Sequence, residues 1–195
     1  MLKELFFIIV SSVLVNNFVF SRFLGNCPFL GVSSKTETAV GMGMATTFVL
    51  TMTAVAAYFI QHYILMPFGL APFLQIVSFI LVIASLVQLV EMVVLKISPA
   101  LYNAFGIYLP LITTNCIVLA VALLIPLKNY NLIESTIFGL GAGLGFTLAL
   151  ILMSGIREDM EFGDVPDALK GPAIVFITAG LLAMIFLGFA GLVPL

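Results

Sequence analysis

Charge is nearly missing from this 195-residue sequence. Seven Lys and Arg and nine Asp and Glu make up only 8% of it, against roughly 25% in a soluble domain. Histidine occurs once, at His62, and cysteine twice, at Cys27 and Cys116. Apolar residues instead account for 63% of the chain, and the mean hydropathy is +1.29. A water-soluble domain of this length cannot hide so much apolar surface and still cover itself with polar atoms. That excludes a cytosolic enzyme, a nucleic-acid binder and a disordered linker, and leaves an integral membrane protein. A single peripheral histidine builds no Ser/His/Asp set. Two cysteines are not a disulfide framework, and a net charge of -2 points to no anionic partner.

A helix needs about 20 apolar residues to cross the hydrocarbon layer. Six windows qualify: Leu5 to Phe23, Thr38 to Gln61, Ala71 to Leu95, Leu101 to Ile125, Leu132 to Ile156, and Pro172 to Val193. They are apolar all round and too long for the ten-residue alternation of barrel strands. The fold class expected is all-α, integral to the membrane, with six transmembrane helices. The first span reads as retained, because Lys3 is followed by Glu4 and no small-residue cleavage site follows the apolar run. Basic residues set orientation. Arg22, Lys35, Lys96, Arg157 and Lys170 fall on one side and Lys3 and Lys128 on the other. The five-residue side is expected to be cytoplasmic, with both termini outside. The segment from Arg157 to Lys170, rich in Asp and Glu, reads as a solvated cytoplasmic loop. Glu91 reads as a span-end residue rather than part of an ion path.

The chain contains itself twice, as residues 1–97 and 98–195. Asn26-Cys27 recurs as Asn115-Cys116, Ser34 to Glu37 as Asn131 to Glu134, and Ala71-Pro72 as Gly171-Pro172, at offsets of 89, 97 and 100. In the second pair a polar residue three positions before a Glu forms a capping signal. Each repeat carries three spans. Three is odd, so the second copy enters from the opposite side and the repeat is inverted, with its working site expected near the midplane. Gly139-x-x-x-Gly143, Gly141-x-x-x-Gly145 and Gly41-x-x-x-Ala45 read as faces for close helix packing.

Both cysteines sit where helix regularity is under strain. Cys27 precedes Pro28, which pushes it away from the α region, so a break is expected from Leu24 to Gly31. In the fourth span Pro110 removes a backbone donor, and Thr113, Thr114 and Asn115 can satisfy the freed groups. The first and fourth helices are thus expected to be interrupted, exposing N–H groups toward an anionic ligand. Two thiolates suit zinc, copper(I) or an iron–sulfur cluster. They close neither a tetrahedral zinc site nor a cluster, which needs four ligands. A metal reading therefore demands a dimer, with itself or with a paralogue. His62, at a helix end, reads as a surface residue rather than a third ligand. The inverted repeat taken alone also suits a small secondary transporter or ion channel without a redox cofactor, and a structural scaffold is a third reading.

The stretch Val15 to Val32 resembles the A subunits of the Rnf electron-transport complexes, in the NqrDE/RnfAE family. So do Glu37 to Phe48, Leu109 to Cys116, Gly155 to Glu158 and Ile177 to Leu181. The E subunit of the sodium-pumping quinone reductase is a close cousin. The resemblance implies a complex in the bacterial cytoplasmic (inner) membrane that passes electrons between reduced ferredoxin and NAD and moves sodium or protons. It implies a [2Fe–2S] cluster held inside the membrane by Cys27 and Cys116 together with a paralogous E-type subunit. Flavins and the NAD site are expected only on other subunits of the complex.

Overall fold

The computed structural model describes residues 2–66, 71–97, 111–112, 114–161, 163, 166 and 171–189. Every element among them is helical. Pro110 and Thr113 lie outside the described residues, as do Lys170 and most of the fourth window before Leu111.

Two helices form the centre. α4 (Thr36–Ile60, 25 residues) and α7 (Leu132–Glu161, 30 residues) are about 38 and 45 Å long at 1.5 Å per residue. Each exceeds the roughly 30 Å hydrocarbon layer. By length and composition, Thr36–Tyr63 and Leu132–Glu161 can cross a membrane; Leu5–Val15, Gln75–Leu89, Cys116–Leu127 and Pro172–Leu187 are shorter apolar pieces.

The central crossing is reciprocal. A Cβ on Gly43 would stand 2.6 Å from the Thr147 side chain, and one on Gly143 would stand 2.7 Å from Thr47 Cα. Only hydrogen at both positions allows this approach. At the crossing, Thr47 Oγ1 and Thr147 Oγ1 lie 3.2 Å apart. Each also reaches the carbonyl one turn back, Thr47 to Gly43 at 2.7 Å and Thr147 to Gly143 at 2.9 Å. Eight of the ten buried positions of α4 recur as buried positions of α7 at an offset of 100: Ala39, Met42, Gly43, Thr46, Val49, Leu50, Thr53 and Ala54 against residues 139, 142, 143, 146, 149, 150, 153 and 154. Gly139 and Gly143 thus pack on α4 as expected, and Gly141 and Gly145 pack on Ser12 and Val13. On α4 the close approach is made by Gly43, whereas Gly41 and Ala45 are only half-buried.

The first window is more broken than its proline foretells. α1 (Leu2–Val10) passes into a π-helical turn over Ser11–Val15. The chain restarts as α2 (Phe18–Arg22), turns through left-handed Phe23 (φ 52°) and Gly25 (φ 77°), and restarts again as α3 (Asn26–Val32). The expected break from Leu24 to Gly31 therefore falls earlier. Pro28 lies in the first turn of α3, where its missing N–H has no intrahelical partner to lose. A second π-helical turn covers Gln61–Leu65 after α4.

α5 (Ala71–Ile97), α6 (Cys116–Leu127) and α8 (Pro172–Leu187) pack around this frame. α5 and α8 both open at a proline, Pro72 and Pro172, offset by 100. α7 runs helically through Glu161, so Arg157 to Glu161 belong to a helix rather than to a loop.

The expected cap at Ser34 does not form. Lys35 is the N-cap of α4 and makes no side-chain cap bond. Glu158 of α7 replaces it, accepting from the Thr36 N–H at 2.8 Å and the Thr36 hydroxyl at 2.7 Å. Next to it, Arg157 Nη1 donates to Leu30 O at 3.0 Å and Ser33 Oγ at 2.9 Å, at the C-terminal end of α3. Anion at a helix start and cation at a helix end is the favourable pairing. Before α7, Glu134 Oε2 does accept from the Asn131 N–H at 2.9 Å, as the capping signal predicts.

Arg22 and Lys35, grouped together in the sequence reading, are placed apart. Arg22 lines a cavity of about 300 Å³ with Lys128, Phe7 and Tyr130, while Lys35 stays beside Arg157 and Glu158. The first window folds back along α7, from Asn17 at Gly145 to Phe18 at Phe138.

Candidate functional site

Two breaks in helices meet at Cys116. This cysteine is the first residue of α6, just after the bend at Thr114 and Asn115. Asn115 is the N-cap, with extended backbone (φ -72°, ψ 118°), and its Oδ1 accepts from the Ile117 N–H at 3.2 Å. Such a cap is expected where Asn directly precedes an apolar helical run.

The left-handed turn before α3 rests on this helix start. The Gly25 N–H donates to Cys116 Sγ at 3.3 Å. A Cβ on Gly25 would stand 2.5 Å from Ile117 Cδ1 and 3.2 Å from Asn115 Oδ1. Positive φ and this close approach together require glycine. Cys27 follows two residues later, exposed, in the first turn of α3. The structure thus joins the backbone leading to Cys27 directly to the sulfur of Cys116, across 91 residues of sequence.

Cys116, Asn115 and Thr114 form one wall of a cavity of about 350 Å³; Ile80, Ile83 and Ala84 of α5, with Leu119, form the rest. The lining is apolar apart from that wall. Asn115 is 3% exposed, and its Nδ2 has no hydrogen-bond partner among the described residues. Its orientation is fixed, because Oδ1 is already committed to Ile117. An amide nitrogen with two N–H donors is therefore held buried one residue before a thiol. Among the described residues no three His, Cys, Asp or Glu side chains gather as a metal site. His62 is exposed and stacks on Tyr58, with ring centroids 5.9 Å apart and planes at 8°.

The cap geometry also corrects the internal match. Asn115 corresponds in geometry to Asn17, the N-cap of α2, whose Oδ1 accepts from the Val19 N–H at 3.1 Å. Their offset is 98, in line with 97 and 100 elsewhere. Asn26 lies inside α3, whose N-cap is Gly25 with no side-chain bond. Neither the Asn17 cap nor the open Asn115 amide was apparent from the repeat. The readable signal was an Asn before apolar residues, present at both sites.

The chain matches the family described as Rnf-Nqr subunit, membrane protein, over residues 5–193. It is 57% identical over 188 residues to the A subunit of the Na(+)-translocating ferredoxin:NAD(+) oxidoreductase complex of Acetobacterium woodii, covering 96% of this chain and 97% of that one. It is 56% identical over 194 residues to the A subunit of the ion-translocating oxidoreductase complex of Aliivibrio salmonicida, over 100% of both chains. With the corresponding A subunit of Shewanella baltica it shares 57% over 192 residues, 98% of this chain and 100% of that one. An all-helical, charge-poor chain matched end to end in this way belongs to the Rnf-Nqr family of membrane proteins.

Proposed function

We propose that this chain is the A subunit of an ion-translocating ferredoxin:NAD oxidoreductase complex, and that Cys27 and Cys116 supply half the ligands of a [2Fe–2S] cluster within the membrane. The named relatives are subunits of such redox complexes. The observation that carries the cofactor reading is the Gly25 N–H on Cys116 Sγ, which brings two distant helix breaks to one sulfur.

The donor set fits an iron–sulfur group. Two soft sulfurs are half of the four thiolates such a cluster takes, and a paralogous E-type subunit would supply the rest. Cys116 already accepts a backbone N–H, and Asn115 Nδ2, one residue before it, has no partner among the described residues. Oriented donors of this kind offset the cost of burying a negatively charged group. Bound there, the cluster would take up and release single electrons partway across a layer of about 30 Å, too wide for one fast transfer. The chain's own residues hold the sulfurs, aim the donors and exclude water with Ile80, Ile83 and Leu119. Flavins and the NAD site would lie on other subunits.

Two inverted three-helix repeats, making six spans, remain our reading of the architecture. The exchanged Gly43–Thr147 and Gly143–Thr47 contacts support it, since a two-fold axis makes each contact occur twice with partners swapped. Both termini would lie outside the cytoplasmic membrane.

The test is iron content and the paramagnetic signal of the purified complex carrying Cys27→Ser or Cys116→Ser. Each variant should assemble and lose the signal. A full signal in both would end the assignment; measurable ion flux through the isolated chain, without iron or donor, would favour a transporter instead.

A further inference from the structure

We infer that the Asn115 side-chain amide donates a hydrogen bond to a sulfur of the group held at Cys116 and thereby raises its reduction potential. This rests on the cluster reading above and goes beyond it by naming a tuning residue.

Three observations meet at this atom. Asn115 is 3% exposed, so its donors have no bulk water to turn to. Its oxygen caps Ile117 at 3.2 Å, which leaves the nitrogen as the free end. That nitrogen has no partner among the described residues, and the residue that carries it lines the same cavity as Cys116. Buried amide donors without an acceptor are rare, because the desolvation loss goes uncompensated. Asn17, in the same cap geometry, shows what the fold does when no ligand is involved: its nitrogen donates to Val13 O at 3.1 Å and Gly145 O at 2.8 Å.

The missing acceptor has a defined chemistry. The neighbouring wall presents sulfur, and a thiolate or sulfide is an electron-rich acceptor. Adding an electron makes that sulfur more negative and strengthens the bond. A donor there stabilises the reduced form more than the oxidised form and raises the potential. The Gly25 N–H on Cys116 Sγ acts in the same direction. Asn115 carries neither proton nor electron; it is a positioning residue.

The experiment is an anaerobic redox titration of the intact complex, following the cluster's paramagnetic signal. Asn115→Ser keeps an oxygen for the cap and replaces the two amide N–H donors with one shorter hydroxyl. It should leave the cluster content unchanged and disfavour the reduced form about tenfold, a midpoint about 59 mV lower for one electron. Asn115→Asp has the same shape, keeps the cap and replaces the donor with negative charge; it should lower the midpoint at least as far, and serves if the Ser variant does not assemble. A midpoint equal to that of the unmodified complex in the assembled variants overturns the inference while leaving the cluster reading intact. No cluster signal in the unmodified complex overturns both.

Discussion

Asn17 and Asn115 begin two helices with one geometry and opposite degrees of saturation. At Asn17 the oxygen takes the Val19 N–H and the nitrogen bridges two carbonyls, one of them on α7. Every polar valence is spent on the fold. At Asn115 the oxygen does the same work for Ile117, yet the buried nitrogen has no partner among the described residues, in a residue that lines a cavity with Cys116. On the proposed reading, the chain keeps one such cap as structure and leaves the other open for a ligand. Saturation, rather than residue type, separates them.

Substitutions can break or sharpen this contrast. The largest effect is expected from Asn17→Ala, which strands the Val19 N–H and takes a donor from the Val13 and Gly145 carbonyls. At about 1–3 kcal/mol for each buried group left unsatisfied, the loss should be about 3 kcal/mol or more, read as a lower denaturation midpoint in detergent. A loss below about 1 kcal/mol would mean the first break is not structural. Next comes Gly25→Ala. A left-handed non-glycine residue costs about 1–2 kcal/mol, and the clash with Ile117 adds to it. The variant should also leave Cys116 more reactive toward a thiol reagent, as the turn lifts from its sulfur. Asn115→Ala removes the cap on Ile117 together with the unpartnered amide, so about 1 kcal/mol is expected in the same denaturation assay. The smallest change is expected from Thr47→Val, where one interhelical hydroxyl contact in a membrane is worth about 0.6 kcal/mol.

Much of this was legible in the chain. Scarce charge and six apolar windows announce a membrane protein, and the glycine spacing on α7 announces close packing, because each follows from local composition. The break at Cys27 was legible only roughly. Pro28 marks the neighbourhood, but a proline is at home in a first turn, so the bend moved to Phe23 and Gly25. The cap of α4 was unreadable, since Glu158 reaches it from 122 residues away. So was the place of Arg22 at one cavity with Lys128, which depends on a chain reversal that no local pattern encodes. The sulfur contact at Cys116 belongs to the same class: its donor is a backbone N–H, identical in every non-proline residue.

The crossing of α4 and α7 has a mechanical corollary. Thr47 and Thr147 have one hydroxyl proton each, yet three contacts compete for them: two carbonyls and the facing oxygen. One contact always goes without. Turning a hydroxyl changes which one, and the number of bonds stays constant. The junction of the two central helices is thus held by the close approach at Gly43 and Gly143, while its hydroxyl bonds can exchange partners with no net loss.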